Sequence, residues 1–273
     1  MIEPPICRSV VGEDENGVSS EGTARGGTAI ETGTATKRTF VVLPTYNERE
    51  NLPIMVETLL NLGLPGLEVL VVDDNSPDGT GDLAERLRAD YASRLPIQVA
   101  HRPQKMGLGP AYIDGFGRAL ALGADYVVEM DADFQHDPQM IREFRRWIEE
   151  YDVVVGSRYI EGSSVEDRWS LARKILSRGG SVYARLILGL RAHDPTGGFK
   201  CFRASALRAL DLSKVRSSGY TFQIEMSYAC QQAGLRVKEV PIRFIDRERG
   251  TSKMSARIAI EATWRVWDIK RRY

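Results

Sequence analysis

Two carboxylates one residue apart, in Asp131-Ala132-Asp133, close an apolar run that begins at Tyr126, and Gln135 follows two positions on. A second run, Val69-Leu70-Val71-Val72, ends in the same way at Asp73-Asp74. Such side chains are hard oxygen donors, suited to Mg or Mn and unlike the thiolate and imidazole sets that hold zinc. Continuous β-branched runs are the pattern of strands buried on both faces of a parallel sheet, and open α/β sheets bind ligands just outside the carboxyl ends of such strands. Both acidic pairs are therefore expected on the rim of one site. A divalent ion on oxygen ligands there points to phosphate chemistry.

The elements that must carry these residues alternate along the chain. Strands are predicted at Thr39 to Leu43, Glu68 to Val72, Ile97 to Ala100, Tyr126 to Met130 and Asp152 to Gly156. Helices are predicted around Glu50 to Asn61, around Leu83 to Ala92, after Gly107 to Gly109, and from Pro138 to about Glu149. Asn75-Ser76-Pro77-Asp78-Gly79-Thr80 is dense in turn and N-cap residues ahead of the second helix. This alternation predicts an α/β fold, a Rossmann-like nucleotide-binding layer with a mostly parallel sheet, right-handed crossovers and helices on both faces. The second half is less regular, with helices expected at Leu171 to Leu188, Ala204 to Leu210 and Phe222 to Ala233, a strand at Arg236 to Ile242 and a basic helix from Ser255 to Tyr273.

A chain of 273 residues suits one large α/β domain. Its 37 basic and 37 acidic side chains give no net field that would recruit nucleic acid. Cys7, Cys201 and Cys230 lie far apart without a CxxC, which supports neither a disulfide framework nor a zinc ribbon and fits a reducing cytosol. Residues 1–36 are rich in Gly, Thr, Ser and Glu and are expected to be a disordered tail, with no apolar core of a secretory signal. Residues 37–253 form the expected catalytic domain, and 254–273 a basic amphipathic helix for membrane-surface contact. The longest apolar-leaning stretches, such as Leu186 to Leu190, fall far short of the ~20 residues that span a bilayer.

Four pieces stand in order: Pro44-Thr45-Tyr46-Asn47-Glu48, Val72-Asp73-Asp74-Asn75-Ser76-Pro77-Asp78-Gly79-Thr80, Met130-Asp131-Ala132-Asp133-Phe134-Gln135-His136 and Gly156-Ser157-Arg158-Tyr159. With Arg247-x-x-Gly250-x-Ser252-Lys253 behind them, the chain resembles inverting glycosyltransferases of the GT-A fold, family two, and among these the dolichol-phosphate or polyprenol-phosphate mannosyltransferases. The resemblance runs from about Thr39 to Met254. It implies a cytosol-facing enzyme that moves mannose from GDP-mannose to a polyprenyl phosphate. Many relatives carry a transmembrane hairpin after the position of Lys253 and this chain does not, so membrane contact is expected to be peripheral or supplied by a membrane-protein partner.

Under that resemblance Asp131 and Asp133, with Gln135 as a neutral ligand, hold Mg or Mn against the donor diphosphate. The plain alternative, a pair of solvated turn aspartates, is disfavoured by their place after a buried strand. Pro44, Tyr46, Glu48, Val72, Asp73, Asp74 and Ala132 are the implied nucleoside-sugar contacts, Tyr46 by packing on the base. For Pro44 and Glu48 a rigid turn and an acid favoured at a helix N-terminus explain the residues equally well. Lys105, ahead of Gly107 and Gly109, is placed where a cation and free N–H groups meet phosphate oxygens. Arg247 and Lys253 match the family's phosphate-binding loop, and with Asp131 and Asp133 make up the expected catalytic set.

A phosphate monoester acceptor is already ionised near neutrality, with a second pKa of ~6, so it attacks without a general base. What it needs is cations to offset repulsion between two phosphorylated substrates. Arg158, Arg173 and Lys253 are the candidates. Asp194 has two readings, orienting a sugar hydroxyl or pairing with one of these arginines, besides that of a turn aspartate, and Glu225 reads equally as an ion-pair partner. The helix from Trp169 and the last helix, where Trp264, Trp267 and Tyr273 alternate with Arg265, Lys270, Arg271 and Arg272, suit a membrane interface. Packing of their apolar stripes on the domain is an equal alternative.

Three rivals remain. A UDP-dependent glucosyl- or N-acetylglucosaminyltransferase shares the fold, a catalytically silent sugar-nucleotide module shares the binding residues, and a dinucleotide oxidoreductase is disfavoured because Pro44-Thr45-Tyr46 replaces the Gly-x-Gly-x-x-Gly turn.

Overall fold

The computed structural model describes residues 36–165, 171–244 and 256–273, with the side chains of 171–177 and 256–263 excepted. Five strands follow the alternation expected from sequence: β1 (Thr39–Thr45), β2 (Leu67–Asp73), β3 (Ile97–His101), β4 (Tyr126–Glu129) and β5 (Val153–Ser157). Between them run α1 (Leu52–Asn61), α2 (Thr80–Tyr91), α3 (Leu108–Ala121) and α4 (Met140–Trp147). The second half adds β6 (Ser164–Val165), α5 (Leu171–Leu188), β7 (Lys200–Arg203), α6 (Ala204–Ala209), α7 (Tyr220–Gln232), β8 (Val237–Pro241), β9 (Arg243–Phe244) and α8 (Ala256–Arg272).

The main sheet has seven strands in the order β3-β2-β1-β4-β7-β5-β8. All pair in parallel except β7, which lies antiparallel between β4 and β5. Sequence reading did not anticipate β7, nor the two-stranded ribbon of β6 and β9.

Alternation along β1 shows how the layers form. Val41 and Leu43 belong to a core with Met55 and Val56 of α1, Ala84 of α2 and Phe144 of α4, while Phe40 and Val42 belong to a second with Tyr112 and Phe116 of α3 and Phe222 of α7. Every one of these side chains is at most 1 % exposed. Both faces of the sheet are thus dry, which explains why its strands read as unbroken apolar runs. A third cluster joins α5, α7 and α8 through Ala184, Leu188, Ile224, Tyr228, Val266 and Ile269. The compact unit therefore reaches from Thr36 to Tyr273 and includes the last helix.

Candidate active site

Because β1, β2 and β4 are parallel neighbours, their carboxyl ends bring three loops to one edge of the sheet. Each loop holds a non-glycine residue in the left-handed region: Asn47 (φ 61°), Asn75 (φ 60°) and Phe134 (φ 61°). Asparagine tolerates this conformation, whereas for a bulky residue it is a true outlier of the kind that gathers at functional sites. Phe134 turns the chain between Asp133 and Gln135, and the Gln135 amide donates to Oδ1 of Asp133 at 3.1 Å.

The loops enclose an open cleft with a cavity volume of about 150 Å³. Pro44, Tyr46 and Glu48 form one wall, Asp74, Lys105 and the start of α3 another, and Asp131, Ala132 and Asp133 the third. Residues from four separate stretches of sequence thus share a single concavity. Nζ of Lys105 lies 3.5 Å above the ring centroid of Tyr46, a close cation–π contact across the cleft. Glu48 accepts from Nδ2 of Asn51 at 2.8 Å at the start of α1, so it serves the helix terminus while lining the cleft.

The pair Asp73-Asp74 divides its work. Asp73 is buried and accepts from the hydroxyls of Thr45 and Ser76 at 3.1 and 2.6 Å and from the Ser76 amide at 3.0 Å, which fixes the turn after β2. Neither Asp73 nor the fully buried Val72 lines the cleft. Asp74 does, but its oxygens already receive Arg102 at 2.6 Å, the Met106 amide at 3.0 Å and the Gly107 amide at 2.8 Å. These bonds tie the end of β2 to the 102–107 loop that carries Lys105.

Asp131 and Asp133 are the hard-oxygen pair at the mouth of β4. Among the described residues no group of three or more His, Cys, Asp or Glu side chains could hold a metal unaided. Two carboxylates facing a cleft that also carries a lysine fit a Mg or Mn ion whose remaining ligands are substrate phosphates and water. Gln135 is buried and is not among the cleft-lining residues. His136 is buried too, stacked on Phe199 with centroids 5.0 Å apart, and burial pushes its imidazole down to about 4, so it is neutral at neutral pH.

Arg158 lies elsewhere, beside the end of β5, with little of its side chain exposed. Its Nε and Nη2 donate to the two oxygens of Asp194 at 2.7 and 2.8 Å, and Nη2 also reaches the Thr196 hydroxyl at 2.6 Å. Of the readings open for Asp194, the structure shows the arginine pair. Burial alone would raise the Asp194 carboxyl, and the Arg158 charge outweighs it and holds the group below the usual carboxylate range. Glu225 is likewise engaged, accepting from the amides of Arg216 and Ser217 and from Nη1 of Arg272 on α8. Arg247 and Lys253 lie outside the described residues, as does the side chain of Arg173 in the first turn of α5.

Two features of the site went unread in the sequence. Glu129, on β4 two residues before Asp131, is fully buried opposite Lys200 of β7, with 3.8 Å between carboxylate and Nζ. Gln223 of α7 bonds to both partners. Burial pushes the pair toward neutrality, Glu129 up to about 7 and Lys200 down. The available signal was an acid inside a run that otherwise reads as wholly buried, which demands a partner. The second feature is Tyr112 of α3, whose hydroxyl donates to Oδ1 of Asp131 at 2.7 Å.

Comparison with known proteins adds to this geometry. The profile described as glycosyl transferase family 2 matches residues 40–211. Over 238 residues, 86 % of this chain and 96 % of the relative, the sequence is 43 % identical to an undecaprenyl-phosphate mannosyltransferase of Micrococcus luteus. Over 267 residues, 97 % of this chain and 96 % of the relative, it is 41 % identical to a polyprenol monophosphomannose synthase of Mycolicibacterium smegmatis. Among solved structures, glucosyl-3-phosphoglycerate synthase of Mycobacterium tuberculosis superposes with a TM-score of 0.60 at 18 % identity, covering 87 % of this chain and 80 % of that one. A mannosyltransferase of Pyrobaculum calidifontis, in complex with GDP-Man and Mn²⁺, gives 0.53 at 19 % identity, covering 80 % and 59 %. At such identities the structural likeness carries the fold alone, and it agrees with the GT-A architecture expected from sequence.

Proposed function

The chain belongs to glycosyl transferase family 2, and from that membership we propose that it transfers mannose from GDP-mannose to a polyprenyl phosphate, with inversion and with Mg or Mn bound at Asp131 and Asp133. The observation that carries the reading is the convergence of Asp131, Asp133, Lys105 and Tyr46 on one cleft at the carboxyl edge of the sheet. Names of two relatives above 40 % identity, each matched over nearly its whole length, supply the acceptor class and the sugar.

The divisions of the cleft suit the parts of such a donor. Tyr46 offers a ring face for the base, and Lys105 a mobile cation for the diphosphate. Asp131 and Asp133, with Gln135 behind them, would hold the ion that offsets the charge growing on the departing nucleoside diphosphate. An acceptor phosphate is its own nucleophile, so no side chain has to remove a proton, and the neutral, buried His136 is not asked to act as a base. Arg173, Arg247 and Lys253 are the cations proposed to meet the two phosphorylated substrates. Arg158, bound to Asp194, contributes by holding the end of β5 against the 194–198 loop.

A lipid-linked acceptor calls for a surface that meets a bilayer. No helix among the described residues is long and apolar enough to cross one. We infer peripheral contact through α5 and α8, where Val182, Leu186, Trp264 and Trp267 are 44, 78, 76 and 47 % exposed. Indole Nε1 of Trp267 donates to the Tyr183 hydroxyl at 3.0 Å, which ties the two helices into one ridge.

The test is transfer from labelled GDP-mannose to a short polyprenyl phosphate with manganese, paired with calorimetric titration of GDP and UDP. The expected result is a lipid-linked mannose and a preference for GDP. Tight binding of UDP with none of GDP would replace this reading by the UDP-sugar one, and donor binding without any transfer would leave a silent binding module.

A further inference from the structure

We propose that Tyr112 is a positioning residue for the metal site, its hydroxyl setting the rotation of the Asp131 carboxylate from beneath the cleft. The inference rests on the metal reading above and extends it to a residue outside the cleft wall. The phenol is completely buried, and its oxygen lies 2.7 Å from Oδ1 of Asp131. A hydroxyl donating to a carboxylate at that separation is a strong, charge-assisted bond. Buried tyrosine hydroxyls need a partner, and this one takes an oxygen of a proposed ligand.

The ring that carries the hydroxyl has little freedom. It stacks on Phe116 with centroids 5.8 Å apart at 26°, and on Phe222 of α7 at 5.8 Å and 7°. The helix beneath it is equally constrained. A Cβ on Gly109 would fall 2.6 Å from the Ser217 carbonyl oxygen, and one on Gly115 would collide with Val42 of β1, so α3 lies as near to its neighbours as a backbone can. Sheet and α7 fix α3, α3 fixes the ring, and the ring fixes the oxygen that holds Asp131. The terminal torsion of an aspartate is intrinsically broad, and the bond from Tyr112 narrows it before any metal arrives. Partners that orient a metal ligand typically contribute 10- to 100-fold in affinity, roughly.

The variant is Tyr112→Phe, which removes one oxygen and keeps the stack. Manganese binding to the full chain is measured in the presence of GDP by the electron paramagnetic resonance of the free ion, with circular dichroism to verify folding. The expected result is a manganese Kd raised about 10- to 100-fold. The manganese concentration for half-maximal transfer should rise in parallel, while kcat recovers once the metal is saturating. Phe202→Leu is the control, since Phe202 is fully buried in the same cluster and packs on Phe116. It should lower thermal stability and leave the manganese Kd at the wild-type value. An unchanged Kd in Tyr112→Phe overturns the proposal, and so does an equal loss in Phe202→Leu, which would assign the effect to packing. If the wild-type chain binds no manganese with GDP, the metal reading itself fails, and this outcome is distinct because it appears before any variant is made.

Discussion

Arg158 and Asp194 meet in a two-pronged pair, Nε to Oδ2 at 2.7 Å and Nη2 to Oδ1 at 2.8 Å, with side-chain exposures of 7 % and 0 %. The Arg158 amide adds a third bond to the same carboxylate at 3.0 Å. Such a pair contributes little by existing, because desolvation offsets most of the attraction, but removing one partner strands a buried charge.

Arg158→Met is therefore expected to destabilise the fold by about 3 to 5 kcal/mol. It should also change the acid limb. In the wild type Asp194 has a depressed pKa, so its stabilising contribution is complete above the unfolded value of about 3.9 and is lost as pH falls through the lower folded value. Without the guanidinium, burial is opposed by the residue-158 amide and the Thr196 hydroxyl and no longer by a charge, so that pKa rises and acid unfolding begins at higher pH. Circular dichroism from about pH 6 down to about pH 2 reads the midpoint. A midpoint identical in both proteins would show that the pair does not couple to folding.

Glu129 and Lys200 make a second buried pair, directly opposite across β4 and β7. Lys200→Met alone leaves a carboxyl with no cation beside it, at an expected cost of about 3 to 5 kcal/mol. Adding Glu129→Gln should restore most of the loss, since a neutral amide beside Gln223 needs no counter-charge. Urea unfolding of the wild type, both single variants and the double variant gives the coupling energy. Additive losses would refute the pairing.

These two pairs also mark where the sequence was readable. β1, β2 and β4 could be found because strands dry on both faces leave long β-branched runs, and the acids Asp131 and Asp133 could be placed because such a run stops at them. β7 could not. Its four residues, Lys200-Cys201-Phe202-Arg203, begin with a charge that is tolerable because Glu129 stands opposite and Gln223 and the Gly197 carbonyl accept from the ammonium. Arg158 was legible as an arginine at a strand end, and its partner 36 residues away was only one of several readings. Tyr112 reads as an ordinary core aromatic on a helix, and nothing local announces that its hydroxyl meets Asp131.

Asp133→Ala removes one of the two cleft carboxylates proposed to hold the metal. Transfer should fall by about 100-fold or more with Mg and with Mn alike, and manganese binding with GDP should disappear. Because the carboxylate also receives the Gln135 amide, a loss of stability of about 1 kcal/mol is expected as well. Activity retained in either metal would contradict the assignment.

In the cleft, Lys105 covers the face of Tyr46 that a base would need. Donor binding is expected to displace the ammonium from the ring and release it toward the diphosphate. Tyr46→Ala should weaken GDP binding by about 1 to 3 kcal/mol, the range for one base stacked on one aromatic ring. Mannose 1-phosphate, which lacks a base, should show no such loss. Calorimetry with both ligands separates the outcomes, and equal weakening would assign Tyr46 to the fold of the cleft instead of the base.

The last helix has two faces, and they should fail differently. Val266 and Ile269 are at most 1 % exposed, and Arg272 pairs with Glu225 beneath α7, so removing α8 outright should destabilise the whole unit. Trp264 and Trp267 are exposed, with Lys270 5.6 Å from the Trp267 ring centroid. Trp264→Ala combined with Trp267→Ala should leave the melting temperature within a few degrees of wild type while lowering partition onto vesicles rich in anionic lipid by about 10-fold or more. Transfer to a water-soluble acceptor phosphate should be unaffected, and added salt should weaken wild-type binding by screening the basic rim. Vesicle binding unchanged in the double variant would remove α8 from the membrane contact and return its tryptophans to the status of ordinary exposed side chains.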